Sequence, residues 1–131
     1  MLNFECMSKS NSNAGQEKGP DIFDLHADLC GTLSNPTRLK IIALLGDQER
    51  KVGELGEIIG VSPSNVSQHL AILSSHGLVL TRKQAQTVFY RLADRRIIRA
   101  CSLIRSVLLD QMRSHGKVAE ETDPRYVVIV D

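Results

Sequence analysis

"SPSNVSQHLAILSSHG", residues 62–77, is the stretch on which the reading of the chain turns. Ser62 is a favourable helix N-cap. Pro63 suits the first helical position, where its missing N–H would have had no partner anyway. Val66, Leu70 and Leu73 recur at steps of four and three and so form one apolar face. The first turns carry Ser64, Asn65, Ser67 and Gln68, with His69 at the margin, all of them small or uncharged hydrogen-bonding groups. Such a tip is either a well-capped helix start with a wet side, or a surface built to meet a partner rich in donors and acceptors. The flanking sequence separates the two.

Upstream, "KVGELGEIIG" (51–60) places Val52, Leu55, Ile58 and Ile59 on a helical stripe. Gly53 and Gly56 each weaken it by about 1 kcal/mol relative to Ala. Gly60 ends it, and only Val61 then separates the stripe from the Ser62 cap. Two helices joined by a short Gly-containing turn have the sequence form of a helix-turn-helix. Before that pair, "SNPTRLKIIALLGD" (34–47) starts a helix at Asn35 and Pro36. Its residues Leu39, Ile41, Ile42, Leu44 and Leu45 are apolar nearly all round, which marks the centre of the core. An earlier helix is expected from Asp21, with Ile22, His26, Leu29 and Leu33 at steps of four, three and four.

Beyond Gly77 the period becomes alternating. "LVLTRK" (78–83) and "TVFYRL" (87–92) read as two strands joined through Gln84, Ala85 and Gln86, although the linker lacks the Gly or Asn-Gly of a tight hairpin. Asp94 can cap a last long helix in which Ile97, Cys101, Ile104, Leu108 and Met112 form a near-heptad seam suited to a partner helix. Residues 1–20 are expected to be a disordered arm, because Met7 to Pro20 offers little to bury against its ordering entropy. Residues 115–131 form a tail whose apolar "YVVIV" has no evident partner. The domain between them, 21–114, is mainly α (α+β), with five helices and a two-stranded β-hairpin.

The chain of 131 residues has a formal net charge of only +1, with 42% hydrophobic and 24% charged residues. No apolar run is long enough for a membrane span, so no membrane partner is expected. The absence of a signal-peptide pattern leads to an expected cytoplasmic location. Charge is segregated: residues 36–105 hold 11 Lys or Arg against 5 Asp or Glu, whereas both flanks are net acidic. A local basic excess around a polar helix tip is the electrostatic footprint of a nucleic-acid binder, although a merely solvated surface would give the same count. Three widely spaced cysteines, Cys6, Cys30 and Cys101, argue against a disulfide framework.

In a helix-turn-helix the second helix enters the DNA major groove and presents its N-terminal residues to base edges. Asn and Gln can pair bidentately with adenine, and Ser can donate or accept. The DNA-contact set is therefore Ser64, Asn65, Ser67, Gln68 and His69, with Arg82, Lys83, Gln84 and Gln86 of the hairpin reaching phosphate or the adjacent minor groove.

"LSNPTRLKIIALL", "VGELGEIIGVSPSNVSQHLAILSSHGLV" and "TRKQAQTVFYRL", three motifs in this order, resemble an ArsR/SmtB-type winged helix repressor over roughly residues 22–113. The resemblance implies a winged helix-turn-helix fold and a homodimer packed through the first and last helices. It also implies a palindromic operator in double-stranded DNA and release by a small inducer, here unknown. The dimer seam would comprise Ile22, His26 and Leu29 with Ile97, Cys101, Ile104, Leu108 and Met112.

Many members of that family sense metals. The family's cysteine pair at the start of the third helix falls on Lys51 and Gly53, which cannot ligate, and the last helix offers only Asp94, Asp110 and His115. No metal and no cofactor are expected, since a closed zinc site needs four N, S or carboxylate ligands. Cys30 and Cys101 remain as a possible thiol sensor, set against the ordinary reading of Cys101 as a small hydrophobe in an apolar stripe. A winged helix used for protein contact is the alternative function. An enzyme is disfavoured, because Ser67, Gln68 and His69 are neighbours on one helix and do not face each other as nucleophile and base must.

Overall fold

The computed structural model describes residues 19–116. The expected arm and tail therefore lie outside the described residues, apart from 19–20 and 115–116. The order is α1 (Ile22–Thr32), α2 (Pro36–Leu45), α3 (Val52–Ile59), α4 (Pro63–Ser75), β1 (Val79–Gln84), β2 (Thr87–Leu92) and α5 (Arg96–Ser114). This is the winged helix-turn-helix expected, five helices with one antiparallel hairpin. No described helix is long and apolar enough to cross a membrane.

Local chemistry accounts for most boundaries. The Asp21 carboxylate accepts from Phe23 N, and Asp24 reaches back to Asp21 N, so the first orphan N–H groups of α1 are satisfied. Asn35 Oδ1 accepts from Arg38 N at 3.2 Å and Ser62 Oγ from Asn65 N at 3.2 Å, each with a proline at the first helical position. Gly60 stops α3 in the left-handed region at φ 85°, where an L side chain is strained. Gly56 is required for a different reason. A Cβ there would stand 2.8 Å from the Val61 carbonyl oxygen, so only glycine lets the turn fold back closely enough to seat α4 on α3.

The core is α2 wrapped by the others. Ile41, Ile42, Leu44 and Leu45 are buried with Leu55 of α3, Val66, Leu70 and Leu73 of α4, Leu78, Val79 and Leu92 of the hairpin, and Ile98 of α5. The apolar steps of α4 thus face inward.

Three details depart from expectation. The hairpin register pairs Gln84 with Thr87, so the turn is two residues and not three, and Ala85 takes φ 56° at a position that usually selects glycine. A short third edge is present: Arg50 N donates to Tyr90 O at 3.0 Å and Tyr90 N to Arg50 O at 2.9 Å, which pins the α2–α3 loop against β2. At the start of α5, the N-cap is Arg95. Asp94 nevertheless serves the first turn by accepting from Arg96 N at 2.9 Å.

Candidate nucleic-acid interface

The start of α4 projects from the core because its apolar anchors lie on one side only. Ser64, Asn65, Ser67 and Gln68 are all exposed. Among the described residues, the side chains of Asn65, Ser67 and Gln68 have no hydrogen-bond partner in the protein, while Ser64 Oγ lies 3.2 Å from Ser62 Oγ. They form an uncharged field of donors and acceptors that only water or a ligand can satisfy.

His69, expected at the margin of the DNA-contact set, behaves differently from its neighbours. It is half-buried, and its Nδ1 accepts from Arg38 Nε at 3.1 Å. Burial, helped by the adjacent Arg38 charge, lowers its pKa, so the ring is kept neutral as an acceptor. Arg38 also donates to Thr32 O at 3.0 Å. The pair therefore ties the end of α1 and the start of α2 to α4, which fixes the angle at which α4 leaves the subunit.

The hairpin holds Arg82, Lys83, Gln84 and Gln86, all exposed, on one side of α4. Arg82 is already engaged. Its Nε and Nη2 donate to Glu49 at 3.1 and 2.8 Å, its Nη1 donates to Gln84 Oε1 at 2.8 Å, and its guanidinium stacks 4.6 Å from the centre of the Phe89 ring. Lys51 approaches the same ring at 5.9 Å. Glu49 and Phe89 had no place in the sequence reading. No periodic pattern points from a loop acid to an arginine 33 residues away.

The expected apolar seam divides into two parts in the structure. Ile97 and Leu29 pack on the subunit's own core, and Cys101 is buried within it. Ile22, Ile104 and Leu108 face outward, joined by Phe23, Leu103 and Val107, which the seam had omitted; Ile104 is 62% exposed and Phe23 74%. The reason is length. A helix of 19 residues runs about 28 Å, so the same stripe is covered where α5 crosses the core and bare where it runs past it. His26 is exposed, and Met112 joins Leu108, Gln111 and His115 around a shallow hollow near the end of α5.

Cys30 is exposed and Cys101 buried. Burial pushes the Cys101 thiol up, the Arg105 charge opposes this, and the nearby Cys30 adds to it. Among the described residues no three His, Cys, Asp or Glu side chains converge on a common point.

Residues 35–81 match the family described as "Bacterial regulatory protein, arsR family". The transcriptional activator HlyU of Vibrio cholerae is 50% identical over 66 residues, which span 50% of this chain and 61% of that protein, less than two thirds of its length. The biofilm growth-associated repressor of Xylella fastidiosa is 34% identical over 85 residues, spanning 65% of this chain and 75% of that one. Among solved structures, the homodimeric winged helix-turn-helix DNA-binding domain of a possible ArsR-family regulator from Mycobacterium bovis superposes with a TM-score of 0.67. Its sequence identity is 26%, over 82% of this chain and all of that domain.

Proposed function

This chain belongs to the arsR family of bacterial regulatory proteins, transcriptional regulators with a winged helix DNA-binding domain, and from that premise we propose that it binds a palindromic operator as a homodimer and represses until an inducer releases it. The observation that carries this reading is the polar field of α4. Asn65, Ser67 and Gln68 stand unpartnered and uncharged on a helix whose opposite face is locked into the core. Asn65 and Gln68 are suited to adenine edges, and the dipole of the α4 N-terminus to phosphate. Lys83 and Arg82 add contacts to the backbone that carry no sequence information. The outward apolar face of α1 and α5 takes the second copy.

Selection of bound fragments from random duplex DNA, followed by affinity measurements on the recovered site, tests the reading. Gln68→Ala should weaken the selected site by about 1 to 3 kcal/mol and relax preference at one position, while Arg82→Ala should weaken selected and random duplexes alike. Equal losses on both duplexes for both variants would refute this division of labour. Binding insensitive to salt would favour a protein-contact module, because each neutralised phosphate adds about −0.9 to the log-log slope.

The proposed inducer acts on the thiols. Cys30 is the accessible thiol that reacts first, and Cys101 becomes the resolving partner only on losing its proton, which its buried position disfavours. Proteins carrying Cys30→Ser or Cys101→Ser should stay on the operator when treated with arsenite, polysulfide or peroxide; normal release in both would remove the thiol branch and leave DNA binding intact.

A further inference from the structure

We infer that Glu49 is a phosphate surrogate for the wing: Arg82 reaches a DNA backbone only by exchanging the Glu49 carboxylate for a phosphate, so Glu49 sets how tightly the wing grips any duplex. The inference rests on the DNA-binding reading above and adds to it a residue that opposes binding.

The geometry is specific. Arg50 pairs with Tyr90 on one edge of β2 while β1 pairs on the other, so β2 lies between Glu49 and Arg82. The Arg82 side chain crosses β2 over the ring of Phe89, its cross-strand partner, to reach Glu49. There Nε and Nη2 both donate to Oε2, at 3.1 and 2.8 Å, and Nε also reaches Oε1 at 3.3 Å. The same two N–H groups are those with which a guanidinium holds the oxygens of a phosphate. Nη1 is turned to Gln84, so three of the five N–H donors are committed among the described residues.

The pair is partly exposed, the Arg82 side chain to 46% and Glu49 to 31%. An ion pair in that setting contributes little net stability and can be exchanged. The Arg82 hydrogen bond holds the Glu49 carboxyl below the ordinary range; burial opposes this, and the Arg82 and Arg91 charges add to the lowering. Glu49 is therefore ionised at neutral pH and does not gate the exchange by titration. The wing therefore engages only where the DNA backbone replaces the contacts that Arg82 gives up.

The test uses the full chain, the selected operator and a random duplex of equal length, titrated between about 50 and 200 mM salt. Glu49→Gln keeps the shape and removes the charge. It should tighten both duplexes about threefold per wing, near tenfold for a dimer, and steepen the salt slope by up to about 0.9 per wing. With Arg82→Ala already present, Glu49→Gln should change nothing. Unchanged or weaker binding by Glu49→Gln would overturn the inference and make Glu49 a positioning residue for Arg82. Equal tightening with and without Arg82 would also overturn it, by reducing Glu49 to a general charge. If the wild-type chain shows no salt-dependent binding, the DNA-binding reading fails and the inference with it. If it binds with a normal slope while Glu49→Gln is silent, only the inference fails.

Discussion

Helices α4 and α5 obey the same rule where they meet the core and opposite rules where they do not. Each buries residues at helical spacing, Val66, Leu70 and Leu73 in α4, Ile98 and Cys101 in α5. On the far side α4 turns out Ser64, Asn65, Ser67 and Gln68, whereas α5 turns out Leu103, Ile104, Val107 and Leu108, each more than half exposed. A face of donors and acceptors loses little by staying in water and gains specificity only against a partner that matches its pattern. An aliphatic face has no pattern to match, but stabilises whatever removes it from water by about 25 cal/mol per Å². Under the proposed function the contrast gives reading to α4 and assembly to α5.

The strongest way to break the contrast is to charge the apolar side. Ile104→Glu puts a carboxylate into a contact that a two-fold symmetric partner would double. Dimer dissociation should rise by a hundredfold or more, corresponding to about 3 kcal/mol of desolvation left uncompensated. Sedimentation equilibrium reads this directly. The melting of the isolated subunit should hardly change, because Ile104 is outside the core. A variant that remains dimeric at the same concentration would mean that α5 covers itself in some other way, and the division of tasks would fall.

A sharper test concerns how α4 is held. Gly56 and Gly53 lie on the same short helix, and propensity alone treats them alike. Gly56→Ala forces a methyl against the Val61 carbonyl and should cost about 2 kcal/mol. At Gly53 no atom lies within 4 Å of the added carbon, so Gly53→Ala should stabilise by about 1 kcal/mol. Urea unfolding of the two proteins measures both. Equal effects would show that the α3–α4 turn does not fix the seat of the reading helix.

What could be read in advance follows the range of the interactions. The caps at Asp21, Asn35 and Ser62 and the inward face of α4 are local, set by residues two to four positions apart, and sequence patterning reports such spacings faithfully. The Arg38–His69 bond, the Arg50–Tyr90 bridge and the Arg82–Glu49 pair join residues more than thirty positions apart and leave no periodic trace. These long-range ties are also what separates His69 from the exposed polar set and binds Arg82 in advance. The two-residue turn at Ala85 escaped for another reason: its backbone conformation is one that glycine normally announces, and alanine does not. Along α5 the stripe was legible, but the point where the core ends beneath it was not.

The smallest expected effect separates the two helices at their N-termini. The cap of α4 is the neutral hydroxyl of Ser62, which does not titrate. Helix α5 has no acidic residue in its first turn and relies on Asp94, whose carboxyl is brought down to about 2 from 3.8, first by the Arg96 side chain and then by the Arg96 backbone N–H. A depressed carboxyl contributes stability that is fully present above its unfolded value and is lost as pH falls from about 3.8 toward 2. Acid should therefore loosen the first turn of α5 before it touches the start of α4. Amide exchange at Ile97 and Ile98, compared with Asn65 and Val66, follows the two ends separately. Asp94→Asn should make the α5 amides fast at neutral pH and insensitive to acid, with salt narrowing the difference because the pair is exposed. Parallel acid sensitivity at both ends in the wild type would show that the two starts are coupled through the core, and that the faces of α4 and α5 are not independently set.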